Sequence, residues 1–338
     1  MNAASEQAPS PRPALLAHLR YLAGPGGVLP YRDFTAAALY APGLGYYTRP
    51  GVTRVGRQAH TDFYTASSLS RGIFGNLIRA AAAHLLQTDN PAEHALVELG
   101  AEPGRDTFDA EAAPFARLET RRYGDSHSPP ARAVVFANEL LDAQPFHRFV
   151  FRRGGWRELG VNVQGDALTE VELAEFSPAA QALLSELPSD TAEEYHLDLS
   201  LDAETLLREL TASPWRGLLL FADYGYTWTE LLQARPAGTA RAYFRHAVSG
   251  DLLARAGEQD LTCHVCWDRL ENVLHAAGFE AVEVLRQEAF FTRYAAAALE
   301  KLVTAQAGGF SPARQTVMEL LHPAHLGQKF QFLCARRR

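Results

Sequence analysis

Cysteine is scarce in this chain of 338 residues, which has only Cys263, Cys266 and Cys334. Three cysteines do not make a disulfide framework, so a reducing compartment is expected. Long apolar runs are also missing, and none approaches the roughly 18 residues that a membrane helix needs. The first residues lack the charged-then-apolar pattern of a secretory signal. These absences predict a cytoplasmic protein without a membrane span.

Positive charge is also in short supply. The net charge is −7 at pH 7, and lysine occurs only at Lys301 and Lys329, so arginine supplies almost all of the basic residues. A nucleic-acid-binding domain usually presents a basic face. The sequence therefore predicts that nucleic acid is not a partner.

Several catalytic motifs are absent. There is no Gly-x-Ser-x-Gly elbow for a nucleophilic serine. The spacing Gly100-x-x-x-Gly104 lacks the third glycine of a dinucleotide fingerprint, which argues against a nicotinamide dehydrogenase. Cys263-His-Val-Cys266 is half of a zinc pattern without a second pair, so no metal site is predicted.

One sequence pattern occurs three times in the chain: a short apolar run that ends in acids, amides or glycines. It occurs in the segments 96–100, 134–145 and 218–226. Such a run is typical of a buried parallel strand, and ligands bind where the carboxyl ends of these strands open into a crevice. The three segments therefore predict an α/β fold with a single site, to which they contribute Glu98, Gly100, Asn138, Glu139, Asp142, Asp223 and Tyr224.

The polar cluster after the second run can bind a cation. A carboxylate pair such as Glu139 and Asp142 suits a guanidinium, which offers a planar fork of donors. Alternatively, Asn138 and Glu139 cap a helix and Asp142 faces water. His264 is a candidate partner for Asp260, four residues earlier, or for a substrate, and a buried hydrogen-bonded histidine is the other interpretation.

Glycines mark where the backbone is expected to approach a ligand. Gly100 and Gly104 follow Glu98 and permit close contact, and a helix starting there would favour an anion. An ordinary strand-to-helix turn is the alternative, and turn chemistry alone also explains the segment Asp223-Tyr-Gly225. An aromatic and hydroxyl cluster on loops predicts an N-terminal lid over the crevice, formed by Tyr46, Tyr47, Asp62, Tyr64 and Thr65.

Composition and periodicity suggest four portions along the chain. A disordered tail is expected over residues 1–12, and an N-terminal helical and lid portion over 13–94. The α/β core occupies 95–146 and 214–338. A period-two pattern after Phe146 indicates an antiparallel meander, so residues 147–213 are predicted to be an inserted cap.

These pieces, in this order, resemble the MidA family, bacterial relatives of the mitochondrial complex I assembly-factor protein-arginine methyltransferases. The match runs from about residue 15 to the end of the given sequence, and its distinctive segments are Ala137-Asn-Glu-Leu-Leu-Asp-Ala143 and Asp260-Leu-Thr-Cys-His-Val265. It also includes Leu39–Tyr47, Asp62–Ser70, Glu98-Leu-Gly100, Asp223–Tyr226, Gly238-Thr239 and Gly327–Leu333.

The resemblance implies a Rossmann-like class I methyltransferase sheet of seven strands, the last antiparallel, with an N-terminal helical portion and an inserted β-meander and helical cap. It implies S-adenosyl-L-methionine as cofactor and methyl transfer to an arginine of a protein partner. The cofactor residues are then Tyr64, Thr65, Glu98, Gly100, Gly104, Asp223 and Tyr224, and the catalytic residues are Asn138, Glu139, Asp142 and His264.

Two departures from the family pattern lie next to the implied cofactor turn. Glu102, followed by Pro103, stands where the family has the middle glycine of Gly-x-Gly-x-Gly. The interval from Gly104 to Asn138 is short, so the core is expected to be shortened between its first and fourth strands, with room for one strand near 115–123. Weak or absent cofactor binding is therefore expected, and a non-catalytic methyltransferase-fold binding or assembly factor is the alternative function.

Overall fold

The computed structural model describes residues 12–50, 54, 71–101, 106–109, 112–304 and 312–338. The helices of these residues begin mostly where an apolar periodicity of about 3.6 residues begins. In chain order they are α1 (Arg12–Ala23), α2 (Tyr31–Tyr40), α3 (Arg71–Leu85), α4 (Pro178–Gln181), α5 (Leu201–Ala212), α6 (Trp228–Gln233), α7 (Trp267–Ala276), α8 (Gln287–Tyr294), α9 (Ala296–Thr304) and α10 (Pro312–Leu321).

The strands are short, and most carry alternating or fully apolar patterns. In chain order they are β1 (Val28–Pro30), β2 (Ala95–Leu99), β3 (Arg117–Arg121), β4 (Arg132–Asn138), β5 (His147–Arg152), β6 (Gly155–Gln164), β7 (Ala167–Glu172), β8 (Tyr195–Leu199), β9 (Arg216–Asp223), β10 (Gly225–Tyr226), β11 (Arg241–Phe244), β12 (Ala247–Ser249), β13 (Asp260–Thr262), β14 (Val265–Cys266), β15 (Glu280–Arg286) and β16 (Gln331–Arg337).

The chain divides into two compact units, each built from three segments. The first unit contains Met1–Phe63, Ala143–Asp202 and Thr229–Cys263, and the second contains Tyr64–Asp142, Ala203–Trp228 and His264–Arg338. The sequence-based division into tail, lid portion, core and cap stays a prediction.

The first unit carries the antiparallel meander that the period-two pattern predicts. Its strands pair in the order β1-β6-β5-β8, with β7 also on β6, and β12-β11-β13 form a second small sheet. Helices α1 and α2 pack their apolar faces, which include Leu16, Leu19 and Phe34, into a core shared with Phe146 and Val161.

The second unit is a three-layer α/β/α arrangement around one sheet of strand order β15-β16-β9-β4-β2-β3. Strands β3, β2, β4 and β9 are parallel, and β16 is antiparallel to both of its neighbours. Helices α3, α8, α9 and α10 contribute to the core on one face, and α5 and α7 to the core on the other. Because both faces are covered, β2, β4 and β9 are buried almost throughout, as the unbroken apolar runs predict.

The last strand, β16, lies inside the sheet between β9 and β15, where its apolar side chains are buried on both faces. Within the described residues the sheet has six strands, one fewer than the seven that the family resemblance implies. Strand β3 is the one strand described between β2 and β4.

Candidate cofactor and substrate site

The three apolar runs form neighbouring strands, as predicted. Strand β4 is hydrogen-bonded to β2 on one side and to β9 on the other, and all three are parallel. Their carboxyl ends therefore meet at one edge of the sheet, which brings Glu98, Gly100, Asn138 and Asp223 to the same edge.

Strand alternation sorts these side chains between the two faces of the sheet. Glu98 lies two residues after Leu96, and Asn138 lies two residues after Phe136. Leu96 and Phe136 both belong to the core that includes residues of α3. Glu98 and Asn138 therefore project to that face, because side chains two apart on a strand share a face. Asp223 follows Ala222, which belongs to that same core, and so projects to the opposite face.

Glu98 is buried, and its two oxygens differ. Oε1 accepts a hydrogen bond from the Thr107 N–H at 2.7 Å, whereas Oε2 is buried without a hydrogen-bond partner among the residues described. Burial raises the pKa of the Glu98 carboxyl, and the bonds from Thr107 oppose the rise. A buried acceptor without a donor is costly, so this atom is suited to a ligand that donates a hydrogen bond.

Asn138 presents a second acceptor of the same kind on the neighbouring strand. Its Nδ2 donates to Glu139 Oε1 at 3.2 Å, and within the described chain its Oδ1 is buried without a donor. Glu139 is held in the left-handed region with φ +51° while its N–H donates to the Ala222 carbonyl. Backbone strain at a non-glycine residue is concentrated at functional sites.

Asp223 organises the turn that follows β4. Its Oδ2 accepts from the N–H groups of Leu141, at 2.9 Å, and Asp142, at 3.2 Å, and its Oδ1 accepts from Tyr224 N–H. Burial raises the pKa of Asp223 to about 7, against the effect of these backbone donors. Asp142 is buried as well, so the alternative in which it faces water is wrong.

His264 lies in an aromatic cluster beside β9. Its ring stacks on Tyr224, with centroids 5.9 Å apart, and approaches Tyr226 at 5.1 Å. The short strands β10 and β14 hold this cluster, since Gly225 pairs with Val265. Asp260, the proposed partner of His264, accepts a hydrogen bond from the Tyr47 hydroxyl in the first unit.

The backbone conformation at position 100 favours glycine. It has φ +75°, and a Cβ there would lie 2.7 Å from Leu140 Cδ1. An L-residue adopts such an angle only at a cost. This conformation suits both a close approach to a ligand and an ordinary turn, so the role of Gly100 at the site stays a prediction.

Some predicted site residues fall outside the described residues, namely Asp62, Tyr64, Thr65, Glu102 and Gly104. Tyr46 and Tyr47, predicted as part of the lid, lie in the first unit, where Tyr46 is buried and packs edge-on against Tyr47. The lid stays a prediction.

The sequence interpretation did not find the groups that act through the backbone. The N–H groups of Thr107, Leu141 and Asp142 carry no side-chain signal, and only their partners Glu98 and Asp223 were recognisable. Trp267 was also missed. Trp267 is the first residue of α7, and a Cβ on Gly225 would lie 2.4 Å from its Nε1. Sequence spacing does not reveal this contact between a strand and a helix.

Metal clusters and membrane-spanning helices are both absent from the part of the chain that is described. No group of three or more histidine, cysteine, aspartate and glutamate side chains is arranged there to hold a metal ion. None of the helices described is both long and apolar enough to cross a bilayer.

Comparison with curated proteins finds mitochondrial relatives. The chain is 25% identical to the Drosophila melanogaster "Protein arginine methyltransferase NDUFAF7 homolog, mitochondrial", over 98% of this chain and 86% of that protein. It is 22% identical to the Homo sapiens protein arginine methyltransferase NDUFAF7, over 97% and 84%. The prediction of a cytoplasmic location is therefore wrong. The low number of cysteines does not distinguish one compartment from another.

Comparison with solved structures finds the same fold with a ligand. A Burkholderia thailandensis protein bound to S-adenosyl-homocysteine superposes with a TM-score of 0.82 at 26% identity, covering 98% of this chain and 95% of that one. A native crystal structure of a protein from the same organism gives 0.78 at 25% identity, with the same coverage.

The residues described here fit S-adenosyl-L-methionine. This molecule carries an ammonium group and ribose hydroxyls, which are donors of the kind that Glu98 Oε2 and Asn138 Oδ1 lack. The edge of the sheet supplies both acceptors beside the constrained turn at Gly100, and so matches the cofactor chemically.

The family relationship follows from a match over about half of the chain. Residues 115–285 match the family described as "Putative S-adenosyl-L-methionine-dependent methyltransferase". With the sheet, the strand-end acids and these relatives, the chain belongs to the MidA family of S-adenosyl-L-methionine-dependent methyltransferases.

Proposed function

We propose that this protein transfers the methyl group of S-adenosyl-L-methionine to an arginine side chain of a protein substrate. The observation that carries the proposal is the group Asn138, Glu139 and Asp142 at the end of β4, beside Glu98 Oε2, which is buried without a hydrogen-bond partner among the described residues. Relatives whose names state protein arginine methyltransferase support the choice of arginine.

On the cofactor side, Glu98 and Gly100 are proposed to hold the ligand at the end of β2. Asp223 and Tyr224 bound the other side of the same edge, at the end of β9. Gly104, Tyr64 and Thr65, which lie outside the described residues, complete the proposed set on the strength of the sequence resemblance.

On the substrate side, Glu139 and Asp142 are proposed to bind the guanidinium. The planar group can donate two parallel hydrogen bonds to a carboxylate, which fixes its orientation as well as its charge. Asn138 shares a face with Glu98 and donates to Glu139, so it links the two halves of the site. His264, stacked on Tyr224, is proposed to line the same pocket.

Methyl transfer depends mainly on the positioning of the donor and acceptor groups. When bound, S-adenosyl-L-methionine supplies an activated methyl group on a sulfonium. The protein has to hold the accepting nitrogen in line with it, and such alignment accounts for a large part of the rate enhancement of enzymes. A carboxylate already held by backbone strain and hydrogen bonds, as Glu139 is, loses little freedom when it engages the substrate.

Two finer features of the fold belong to the proposal. We infer that the core is shortened relative to a seven-stranded sheet, since β3 is the one strand described between β2 and β4. Residues 147–213 are proposed to be an inserted cap, and residues 13–94 an N-terminal helical and lid portion.

The proposal is tested with radiolabelled methyl transfer. The purified protein is incubated with S-adenosyl-L-methionine labelled on the methyl group and a mitochondrial extract, and the protein fraction is hydrolysed and resolved by chromatography. Label is expected in methylarginine, and the Glu139→Gln and Asp142→Asn variants should lower it at least about tenfold, because a charged hydrogen bond is replaced by a neutral one.

The matched control is Glu300→Gln, which makes the same chemical change at an exposed residue outside the proposed site and cap and should leave the label unchanged. Label in another amino acid would reject arginine as the acceptor. Cofactor binding with no label in any protein would support the non-catalytic binding or assembly factor instead.

A further inference from the structure

A two-residue turn in the first unit is built without glycine. Phe244 of β11 pairs with Ala247 of β12, so Arg245 and His246 form the turn between them, with φ values of +47° and +62°. Positive φ at both positions is the type I′ geometry, which strongly favours glycine, asparagine or aspartate. Arginine and histidine adopt this left-handed conformation only at a cost to stability.

The other two-residue hairpins described in this unit contain glycine. The turn between β5 and β6 is Arg153-Gly154, and the turn between β6 and β7 begins with Gly165; each of these glycines has a positive φ. The chain therefore places glycine at such turns elsewhere, but not between β11 and β12. Strained backbone at non-glycine residues is concentrated at functional sites, which indicates that Arg245 and His246 are kept for their side chains.

Two arginine side chains lie against one ring beside this turn. The guanidinium carbon of Arg255 is 4.4 Å from the centroid of the Phe244 ring, and that of Arg245 is 5.1 Å from it. Both contacts are within the range of cation–π interactions, and they hold two positive charges near each other. Like charges at short range repel, so a negatively charged group beside them would be stabilised.

The described chain supplies no such group to Arg255. This exposed side chain has neither an ion pair nor a hydrogen bond among the residues described. The nearest carboxylates along the chain are Asp251, whose Oδ1 accepts from the Ala254 N–H, and the half-buried Glu258. Arg12 adds a third positive charge, since its guanidinium donates to the Ala254 carbonyl. Three arginines against two carboxylates leave a local excess of positive charge, in a chain whose net charge is negative.

Strand β12 offers an open sheet edge beside these arginines. Within the described residues it pairs with β11 alone, and its three residues are all exposed, Val248 by 60%. Along an antiparallel pair, residues whose backbone groups bond to the partner strand alternate with residues whose groups face away. Ala247 closes the turn opposite Phe244 and bonds to β11, so the N–H and carbonyl of Val248 face the open edge. Such an edge is a template for another strand.

We propose that the β11–β12 hairpin is a docking surface for an extended, acidic segment of a protein partner. The segment adds as a strand beside β12, where Val248 supplies main-chain hydrogen bonds, and its carboxylates contact Arg245 and Arg255. The open edge favours a peptide over a nucleic acid, because a sheet edge pairs with main-chain groups. The residues of the proposed methyl-transfer site belong to the second unit and the hairpin belongs to the first, so the inference does not depend on methyl transfer.

Fluorescence anisotropy of the full chain with a labelled peptide tests the surface. The probe is a short fluorescein-labelled peptide in which glutamate and valine alternate. It is expected to bind saturably, and more weakly as the salt concentration rises. The same peptide with glutamine in place of glutamate should bind at least about tenfold more weakly. Equal binding of the two peptides, or tighter binding of a labelled oligothymidylate, would overturn the proposal.

Replacement of the turn separates its stability from its binding. The double variant Arg245→Asn with His246→Gly gives the turn the residues that it favours, so the thermal unfolding midpoint should rise by about 2 to 4 °C. Its affinity for the acidic peptide should fall at least about fivefold, because a charged contact is lost. A double variant that binds the peptide as the wild type does, or that is no more stable, would overturn the proposal.

Two single variants test the other contacts. Arg255→Gln removes the charge that has no partner among the described residues, and Val248→Pro removes the N–H that faces the open edge. Each should weaken binding of the acidic peptide about fivefold or more, and circular dichroism checks that the fold is retained. Undiminished binding by either variant would overturn the contact that it tests, and with it the proposed mode of docking.

A matched control locates the binding at this hairpin. Arg153→Gln makes the same chemical change at the other type I′ turn of the unit, where Arg153 is ion-paired with Glu172. This variant should bind the acidic peptide as the wild type does. A loss of affinity equal to that of Arg255→Gln would show that the peptide responds to the overall charge, and would overturn the assignment to β11 and β12.

Discussion

Asp223 accepts a hydrogen bond from the backbone N–H of Leu141 at 2.9 Å, which ties the end of β9 to the turn after β4. The same oxygen accepts from Asp142. One buried carboxylate therefore holds the turn that carries Glu139 and Asp142, and we propose that it also positions them.

Asp223→Ala should lower the free energy of unfolding by about 1 to 3 kcal/mol, because it leaves buried N–H groups without an acceptor. It should also weaken methyl transfer more than cofactor binding, since the turn carries the proposed substrate carboxylates. Urea denaturation, calorimetry with S-adenosyl-homocysteine and the transfer assay measure the three quantities. An unchanged unfolding free energy would contradict the positioning role.

Asp223 should also make stability depend on pH. Its pKa is raised to about 7 in the folded protein, so between about pH 4 and pH 7 the folded state holds a proton that the unfolded state has lost. Folding then takes up a proton, and stability should fall as the pH rises through this window. Urea denaturation at pH 5 and pH 8 should show a larger decrease for the wild type than for Asp223→Asn. Identical decreases would contradict the raised pKa.

Because the backbone at Glu139 is left-handed, replacement by glycine should give a more stable protein than replacement by alanine. Both Glu139→Gly and Glu139→Ala remove the carboxylate and should abolish methyl transfer. At φ +51° the glycine variant should nevertheless be more stable, by about 1 kcal/mol, because alanine adopts the left-handed conformation only at a cost. Thermal or urea denaturation compares them, and a more stable alanine variant would show that the strain is absent.

Gly100→Ala should weaken binding of S-adenosyl-homocysteine by about tenfold or more, since the added Cβ meets Leu140 and the backbone angle is strained. Gly124→Ala is the matched control. Gly124 also has a positive φ, but nothing lies within 4 Å of its Cβ position, so only stability should change. Equal affinities for wild type and Gly100→Ala would remove this turn from the cofactor site.

Glu102→Gly should strengthen cofactor binding. Glu102 stands where the family has a glycine beside the cofactor, and its carboxylate is expected to repel the carboxylate of the ligand. From the sequence, the gain is at most about a hundredfold, or a few kcal/mol. Calorimetry with S-adenosyl-homocysteine measures it, and an unchanged affinity would show that Glu102 does not crowd the ligand.

The strands that form the site could be predicted from the sequence, but the position of the other strands in the same sheet could not. Strands β2, β4 and β9 are buried on both faces, so their apolar runs are unambiguous and the acids at their ends are easy to recognise. Strand β16 has a similar apolar pattern, but its central position depends on pairing with residues more than 100 positions away, which composition does not reveal.

Side-chain roles were less predictable than positions. Whether Asn138 faces Glu98 or Asp223 depends on strand register, and a shift of one residue would reverse it. The hydrogen bonds from Thr107 and Leu141 come from the backbone, where residue type carries no information.

The most direct test of this account is a calorimetric titration of the full chain with S-adenosyl-homocysteine, repeated with Glu98→Gln. We expect weak but saturable binding at one site, because the Burkholderia thailandensis protein binds this ligand while Glu102 opposes it. The substitution should weaken binding roughly ten- to a hundredfold further, because the amide that replaces the carboxylate is an uncharged acceptor. No binding by the wild type, or equal binding by both proteins, would contradict the assignment of this edge of the sheet as the cofactor site.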